Sequence, residues 1–379
     1  MTDVLSLPFD TEEMIAGLKP WIETESPTFD AAAVNRMMDL VQYEMAAMGA
    51  RVERIPGRLG LGDSVRATMP HPRAGEGGIL LLGHMDTVHP LGTLDVLPFR
   101  REGDVCYGPG LMDMKGGNYV YLDALRKILA AGIETPLPVT VLFTPDEEIG
   151  TPATRDLIET EAKRHKYILV PEPARPDGGA VIGRYAIARF NLQARGRPSH
   201  AGWQLSEGRS AIAEMARKVA EIEGMTTEDC TFSVGVFHAG QWVNCVSSVC
   251  DAEVLTMAKT QALLDEGVAR MMALGTDEGE VTLEVRRGVT RPVWEPDQPG
   301  TMEMLALARE VAGEIGFEIS AASAGGGSDG NFTGHLGLPT LDSIGVRGKG
   351  LHTLGEHIYV DSLVERARLA AGLYCRLGA

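Results

Sequence analysis

Short apolar segments that alternate with amphipathic ones constrain the fold of this sequence most. The apolar segments are GILLLG (78–83), PVTVLF (138–143) and YILVPEP (167–173). Around them, apolar residues recur every three or four positions, which predicts helices over about 10–24, 30–49 and 116–131. Strands that are apolar on both faces are typical of a parallel sheet that helices cover on both sides. We therefore expect an α/β fold with a mixed, mostly parallel sheet flanked by helices.

The middle of the sequence has a different pattern. YAIARFNLQARG (185–196) alternates strictly, which predicts a strand with one covered face. That face comprises Ala186, Ala188, Phe190, Leu192 and Ala194. Periodicity further predicts a helix over about 206–223, strands near 231–238 and 243–257, a helix near 261–274 and a strand over 280–289. This mixture indicates an α+β unit.

A Pro-rich segment, RPVWEPDQPG (291–300), ends the α+β region. The earlier pattern then resumes, with a predicted helix over 301–315, an apolar strand in LPTLDSIG (338–345) and a helix over 361–376. We predict a discontinuous α/β domain of residues 1–183 and 293–379, interrupted by an inserted domain of residues 184–292.

Composition excludes some classes of partner. The net charge of -17 argues against nucleic acid, whose phosphates would be repelled. The N-terminal sequence has no basic region followed by an apolar core, and no apolar run approaches the length of a membrane span, so we expect neither a signal peptide nor a membrane anchor. The five cysteines include no C-x-x-C pair, which favours a reduced, cytoplasmic setting.

Metal-ligating side chains follow several apolar segments. In an open α/β sheet, ligands bind at the carboxyl ends of the strands. The residues found there, or in the loop before the helix at 116–131, are His84, Asp86, Asp113, Asp146, Glu147, Glu148, Glu172 and His352. Imidazole and carboxylate ligands without thiolate suit a two-metal hydrolytic site that holds zinc, cobalt or manganese.

The spacing of these residues adds detail. His84 and Asp86 are two apart in an extended segment, so Asp86 could accept the second ring N–H of His84 and orient the ring. Asp113 lies in a glycine-rich loop, where a carboxylate could bridge two ions. Adjacent carboxylates tolerate one another only beside cations or with a shared proton. One of Glu147 and Glu148 could thus bind metal while the other acts as a base, and the sequence leaves open which does which.

The motifs GHMDTV, GPGLMDMKGG, TPDEEIG, PEP and GLHTLGEH, in this order, resemble those of the di-zinc aminoacylase/carboxypeptidase family, and most closely its glutamate carboxypeptidase branch. The resemblance implies a zinc-peptidase-like fold in which His84 and Glu172 bind one metal and Glu148 and His352 the other. It also implies that Asp113 bridges the two metals, that its peptide bond to Met114 can be cis, and that Glu147 is the general base.

The resemblance assigns further roles to the inserted domain, as a lid and as the dimerisation surface of a homodimer. The histidine of GRPSHAG, His200, would polarise the substrate carbonyl, and Asn244 of GQWVNCV and Gly327 of GGGSDG would lie near the substrate. One departure concerns a lid strand whose D-x-R arginine grips the substrate carboxylate in the family. Here the strand is DAEVLTMAKT (251–260), with Thr256 in that region. Either another cation serves, with Arg184, Arg347 and Lys349 as candidates, or the substrate has no such carboxylate.

We expect a hydrolase that cleaves the C–N amide bond of a small N-acyl amino acid or dipeptide-like substrate. Two divalent ions would hold a bridging hydroxide, and Glu147, Asp86 and His200 would be the catalytic side chains. Two alternatives stay open. The same site could hydrolyse a non-peptide C–N bond, as a deaminase or aryl amine hydrolase does, or the chain could be a non-catalytic binding protein on a hydrolase fold.

Overall fold

The computed structural model describes residues 4–379. Its α-helices are α1 (Thr11–Glu23), α2 (Ala31–Ala47), α3 (Gly116–Ala130), α4 (Arg155–Ala162), α5 (Ala211–Glu223), α6 (Gln261–Met272), α7 (Pro299–Ile315), α8 (Gly330–His335) and α9 (Asp361–Arg376). Its strands are β1 (Arg51–Ile55), β2 (Ser64–Thr68), β3 (Ile79–His84), β4 (Arg100–Glu102), β5 (Val105–Tyr107), β6 (Val139–Thr144), β7 (Tyr167–Val170), β8 (Ala180–Arg184), β9 (Ala186–Arg195), β10 (Cys230–Ala239), β11 (Val249–Ala258), β12 (Thr282–Arg291), β13 (Ala321–Ala324), β14 (Thr340–Asp342), β15 (Gly348–Lys349) and β16 (His357–Tyr359).

The chain forms two compact units. Unit 1 comprises the described residues up to Gly183 together with Glu295–Ala324 and Ser328–Ala379. Unit 2 comprises Arg184–Trp294 and Gly325–Gly327. The lid and dimerisation roles expected of the inserted region stay predictions.

Unit 1 is built on an eight-stranded sheet of order β1-β2-β6-β3-β7-β14-β8-β13. Its centre is parallel, since β3 pairs in parallel with β6 and β7, and β14 pairs in parallel with β7. Antiparallel pairs flank this centre at β1–β2, β2–β6 and β8–β14. The carboxyl ends of four strands therefore meet at one edge of the sheet, which confirms the expected fold class.

Alternation along the central strands explains why helices cover both faces of this sheet. Ile79 and Leu81 of β3 enter a large core with residues of α1, α2, α3, α7 and α9. Leu80 and Leu82 of the same strand point the other way, into a smaller core with residues of α4 and α8. Each such strand thus buries apolar side chains on both of its faces. Every Å² of apolar surface removed from water stabilises the fold by roughly 25 cal/mol.

Side-chain caps fix where the first two helices begin. The carboxylate of Asp10 accepts a hydrogen bond from the Glu13 amide at 2.9 Å, and that of Asp30 accepts one from the Ala33 amide at 2.8 Å. Such caps satisfy N–H groups that the first turn of a helix leaves unpaired. They account for helix starts close to the predicted 10 and 30.

Unit 2 contains a four-stranded antiparallel sheet of order β10-β11-β9-β12. The five residues predicted for the covered face of β9 are all buried, in a core that they share with residues of α5 and α6. The alternation predicted for 185–196 is therefore confirmed.

Several predicted boundaries are wrong. The helix predicted over 206–223 begins at Ala211, because Ser210 caps it by accepting a hydrogen bond from Ala213 N at 3.1 Å. The strand predicted near 243–257 begins at Val249, and residues 243–248 form a loop instead. In LPTLDSIG only Thr340–Asp342 is strand.

A third sheet, of order β15-β16-β5-β4, lies in unit 1. It pairs the segment around His357 with the segment around Tyr107. This pairing brings residues 348–359 next to the glycine-rich loop that leads into α3, although about 240 residues separate them in sequence.

Glu161 of α4 is the centre of a buried polar cluster in unit 1. Its carboxylate, in a residue that is 3% exposed, accepts hydrogen bonds from Arg66 Nη1 at 2.6 Å and from His165 Nε2 at 3.1 Å. Burial raises the pKa of Glu161, but the hydrogen bonds from His165 and Arg66 outweigh burial and lower the pKa to about 2. The ionised carboxylate therefore stabilises the folded chain at neutral pH.

Across residues 4–379, no helix combines the length and the apolar character needed to span a bilayer.

Candidate metal centre

Each predicted metal ligand follows, ends or precedes a defined element of unit 1. His84 is the last residue of β3, Glu172 lies two residues after β7, and Glu148 lies in a single 3₁₀ turn, Glu147–Ile149, that follows β6. Asp113 lies in a tight turn, Leu111–Lys115, that leads into α3, and its peptide bond to Met114 is cis. His352 lies between β15 and β16.

One group of possible ligands comprises His84, Asp113 and Glu172, whose donor atoms all lie within 4.8 Å of one another. Nε2 of His84 is 3.3 Å from Oδ1 of Asp113 and 3.7 Å from Oε1 of Glu172. His84 and Glu172 are buried. An imidazole nitrogen and two carboxylates from three segments thus converge on one point.

A second group comprises Asp113, Glu148 and His352. Nε2 of His352 is 3.1 Å from Oδ2 of Asp113 and 3.3 Å from Oε2 of Glu148. Asp113 belongs to both groups and presents a different carboxylate oxygen to each. This is the arrangement that a bridging carboxylate requires.

Buried polar atoms in both groups support a fit to divalent cations. Within residues 4–379, Nε2 of His84 and Oε1 of Glu148 are buried without a hydrogen-bond partner of adequate geometry. Burial and the nearby Asp113 carboxylate raise the pKa of Glu148 to about 8, and the same two causes raise the pKa of Glu172 well above its usual range. Burial of crowded carboxylates is costly unless cations compensate them. Nitrogen and oxygen donors in this number suit zinc, cobalt or manganese.

The histidines respond to the same carboxylates. Hydrogen bonds with Asp113 and Glu148 raise the pKa of His352 to about 10. Burial lowers the pKa of His84, but the carboxylates of Asp113 and Asp86, each 3.3 Å from a ring nitrogen, outweigh burial and raise that pKa well above its usual value. Protons and divalent cations therefore compete for these side chains.

Asp86 connects His84 with the turn that carries Glu147 and Glu148. The closest acceptor for Nδ1 of His84 is the main-chain oxygen of Asp86 at 3.0 Å, while the predicted carboxylate contact is longer, at 3.3 Å. When Nδ1 of the neutral ring carries the proton, Nε2 has a free lone pair. That lone pair could bind a metal ion together with Asp113 and Glu172. The Asp86 carboxylate accepts hydrogen bonds from the amides of Glu147 and Glu148, each at 3.3 Å, and from Thr28 Oγ1 at 2.7 Å.

The structure distinguishes Glu147 from Glu148. Glu148 lies with Asp113 and His352, whereas Glu147 is buried in the same turn but belongs to neither group. Since successive residues of a 3₁₀ turn point about 120° apart, neighbours cannot both face the same ligands. The roles of ligand and base remain predictions for the two residues.

In unit 2, His200 and Asn244 lie on two loops that pair with each other. His200 forms an isolated antiparallel bridge with Cys245, and the main-chain oxygen of Asn244 accepts a hydrogen bond from Ala201 N at 2.9 Å. Nδ1 of His200 accepts hydrogen bonds from the amides of Gly202 and Trp203 at 3.1 and 3.2 Å. The proton of the neutral ring therefore sits on Nε2, which can donate.

The predicted substrate-binding residues have different surroundings. Nη1 of Arg184 donates to the main-chain oxygen of Gly326 at 2.8 Å. A Cβ on Gly327 would lie 2.8 Å from Cδ of Arg291, a buried residue that the sequence does not single out. Lys349 is exposed, in a two-residue strand.

Two other positions bear on the missing lid arginine. Arg347 donates to Asp361 at 3.0 Å and to Glu365 at 3.1 Å, so acidic neighbours already compensate its charge. Thr256 is fully buried on the helix-covered side of β11, and its hydroxyl has no hydrogen-bond partner within the described chain. Thr256 is therefore not exposed to a ligand from the open face of its sheet.

Comparison with known proteins identifies the family. The profile of peptidase family M20/M25/M40 matches residues 80–376, which is most of the chain. The chain belongs to this family. Carboxypeptidase G2 of Pseudomonas sp. (strain RS-16) is 31% identical to this M20 peptidase over 380 residues, which cover 97% of this chain and 89% of that protein.

Two further relatives are more distant. Succinyl-diaminopimelate desuccinylase of Azoarcus sp. (strain BH72) is 28% identical over 303 residues, which cover 74% of this chain and 78% of that protein. The crystal structure of an M20 family metallo-carboxypeptidase from Sulfolobus solfataricus matches with a TM-score of 0.77 and 15% identity, over 97% of this chain and 99% of that one. The expected family, fold and enzyme class are confirmed: this M20 peptidase is a metal-dependent hydrolase.

Proposed function

We propose that this M20 peptidase is a two-ion hydrolase that cleaves the C–N amide bond of a small N-acyl amino acid or a dipeptide-like substrate. The observation that carries the proposal is the pair of ligand groups that share Asp113, with Glu147 next to the ligand Glu148 but outside both groups. Zinc is the expected ion, with cobalt and manganese as alternatives.

In this proposal His84, Asp113 and Glu172 hold one ion, and Asp113, Glu148 and His352 hold the other. Divalent ions, when bound, polarise a carbonyl and make an adjacent water more acidic. Asp86 orients His84 through the hydrogen bond at Nδ1, so that the lone pair of Nε2 stays directed at the ligand group.

Glu147 acts as the general base. It takes a proton from the attacking water and returns it to the nitrogen of the departing amine, so that the C–N bond breaks without release of an amide anion. Its place in the turn that also carries Glu148 supports this role, since the hydrogen bonds from both amides to Asp86 hold that turn in position.

His200 donates the proton on Nε2 as a hydrogen bond to the carbonyl oxygen of the substrate. The two main-chain amides that bind Nδ1 support this role because they favour the tautomer in which Nε2 is the donor. Asn244, Gly327, Arg184 and Lys349 are proposed to contact the substrate.

A second candidate keeps the metal centre but changes the bond that is cleaved. Thr256 is buried and Arg347 is already paired, which removes two positions that could have bound a substrate carboxylate. A substrate without such a carboxylate, hydrolysed at a non-peptide C–N bond, is therefore the alternative.

The test is a product screen. Metal-stripped protein is loaded with zinc, cobalt or manganese and incubated with N-acyl amino acids, α- and γ-linked glutamate amides and aryl amines, while amino acids and ammonia are measured separately. Glu147→Gln is the matched control, because it keeps the size of the side chain and removes the base. Release of a free amino acid by the wild type alone supports the amidase proposal. Ammonia as the sole product supports the alternative, and full turnover by Glu147→Gln contradicts the role of Glu147.

We further propose that the protein is a homodimer that associates through unit 2, and that it is cytoplasmic. Exposed apolar side chains support association, since Trp203, Trp242 and Val243 are 91%, 72% and 104% exposed. Sedimentation of a Trp203→Ser, Trp242→Ser variant should show monomers. Phe29→Ser, which changes an 81% exposed side chain of unit 1, should leave the dimer intact.

A further inference from the structure

Glu356 is a buried carboxylate that is not among the ligand groups of the metal centre. It is 1% exposed and accepts four hydrogen bonds. Oε1 accepts from the amides of Met112 and Asp113 at 2.7 and 3.1 Å, and Oε2 accepts from the Gly110 amide at 3.0 Å and from His89 Nε2 at 2.6 Å. Every partner except His89 is a main-chain amide of the turn that presents Asp113, or of Gly110, which directly precedes that turn.

These hydrogen bonds determine how that turn is folded. The amides of Met112 and Asp113 lie before α3, and Met112 is buried, so water does not replace a lost partner there. A buried amide without an acceptor destabilises the folded chain, because it has lost its hydrogen bonds to water. Glu356 supplies the acceptor for three such amides at once, and the turn closes around its carboxylate.

Glu356 also belongs to the loop that carries the other histidine ligand. It follows His352 by four residues, and its own amide donates to Thr353 O at 3.2 Å. The hydroxyl of Thr353 donates to Gly350 O at 2.8 Å, which keeps this loop compact. One side chain thus connects the loop of His352 with the turn of Asp113.

We infer that Glu356, together with His89, is a positioning residue that places the shared ligand Asp113 for both metal ions. The inference rests on the proposed two-ion site. His89 contributes the N–H that completes the acceptor positions of the Glu356 carboxylate, which accepts hydrogen bonds from all four of its partners. Neither residue belongs to a ligand group of the metal centre.

A glutamine at position 356 tests this role with little change in size. Its single carbonyl oxygen can accept hydrogen bonds from the amides of Met112 and Asp113. Its NH₂ group then faces the Gly110 amide, and two donors cannot form a hydrogen bond with each other. The turn must shift, and Asp113 with it. We expect Glu356→Gln to weaken zinc binding about 10- to 100-fold, as is typical when a partner of a metal ligand is lost.

Glu161→Gln is the matched control. Glu161 is likewise a buried glutamate of unit 1 paired with a histidine, but its partners Arg66 and His165 are not ligands. Zinc affinity is measured by competition with a chelating dye, and the stability of the metal-free proteins by thermal unfolding. Both variants should lose stability, and only Glu356→Gln should lose zinc affinity.

Two variants of His89 provide a second test that leaves Glu356 intact. His89→Gln keeps an N–H donor and should bind zinc within about threefold of wild type, whereas His89→Leu removes the donor and should bind roughly tenfold more weakly. The d–d absorption of bound cobalt should change in His89→Leu and Glu356→Gln and stay unchanged in Glu161→Gln.

The inference is overturned if Glu356→Gln binds zinc within twofold of wild type, or if Glu161→Gln loses as much affinity. Should Glu356→Gln not fold, equal zinc affinities of His89→Leu and His89→Gln overturn it instead. The readout is independent of the proposed reaction. A wild type that binds zinc but hydrolyses no amide refutes the proposed function and leaves the role of Glu356 standing.

Discussion

Metal loading should release protons, and the metal-free site predicts how many. The pKa of Glu148 is raised to about 8 by burial and the Asp113 charge, and that of His352 to about 10 by its hydrogen bonds with Asp113 and Glu148. At pH 7 both groups are therefore protonated. A metal binds only the carboxylate and the neutral imidazole, so loading displaces about two protons from this pair alone. The raised pKa values of His84 and Glu172 add to the release in the same direction.

The sign of the pH dependence follows from this count. Raising the pH removes the competing protons and strengthens metal binding. From this pair alone, the logarithm of the apparent association constant should rise by about two per pH unit near pH 6–7. It should rise by about one per unit between pH 8 and 10, where His352 but no longer Glu148 holds a proton.

Titration calorimetry in two buffers of different ionisation enthalpy measures the proton count at pH 7. Glu148→Gln is the control, because an amide carries no titrating proton and the release should fall by about one. A release close to zero in the wild type, or an affinity that does not change between pH 6 and 8, would refute the reasoning that protons and metal ions compete for these ligands.

Three further outcomes are expected. Glu147→Gln should lower kcat about 10²- to 10⁴-fold while zinc affinity in dye competition stays at the wild-type level. Glu161→Gln should lower the free energy of unfolding by roughly 2–3 kcal/mol at pH 7, and the difference should vanish as the pH falls from about 4.5 to about 2, as urea unfolding at several pH values would show. Gly327→Ala should lower the free energy of unfolding by about 1–3 kcal/mol, because the new methyl group would lie 2.8 Å from Cδ of Arg291, and thermal unfolding should show a lower melting temperature.

The strand ends of the main sheet could be predicted because the relevant signal is local. Apolar runs identify β3, β6 and β7, and the rule that parallel strands end at one edge brings His84, Glu148 and Glu172 together. The boundaries in unit 2 could not be predicted in the same way. Trp242 and Val243 have the side chains of a strand, and only tertiary structure reveals that they lie exposed in a loop.

The division of roles within the site depends on geometry that composition does not carry. Glu147 and Glu148 are the same residue type at adjacent positions, so the sequence does not distinguish them. The 3₁₀ turn distinguishes them because it points their side chains in different directions. Glu356 is not among the site residues that the sequence predicts, because its partners lie more than 240 residues earlier in the sequence. A hydrogen bond across that distance leaves no periodic signal, which is why its contribution appears only in the structure.

The position of β14 has a consequence for the order of events during synthesis. In the sheet this strand lies between β7 and β8. In the chain, however, most of unit 2 (Arg184–Trp294) is synthesised after β7 and β8 and before β14. On a ribosome, His84, Asp113 and Glu172 emerge early, but β14, His352 and Glu356 follow only after unit 2, whose separate core can form first. We expect the second ligand group, and the hydrogen bonds between Glu356 and the turn of Asp113, to form only after unit 2 has been synthesised.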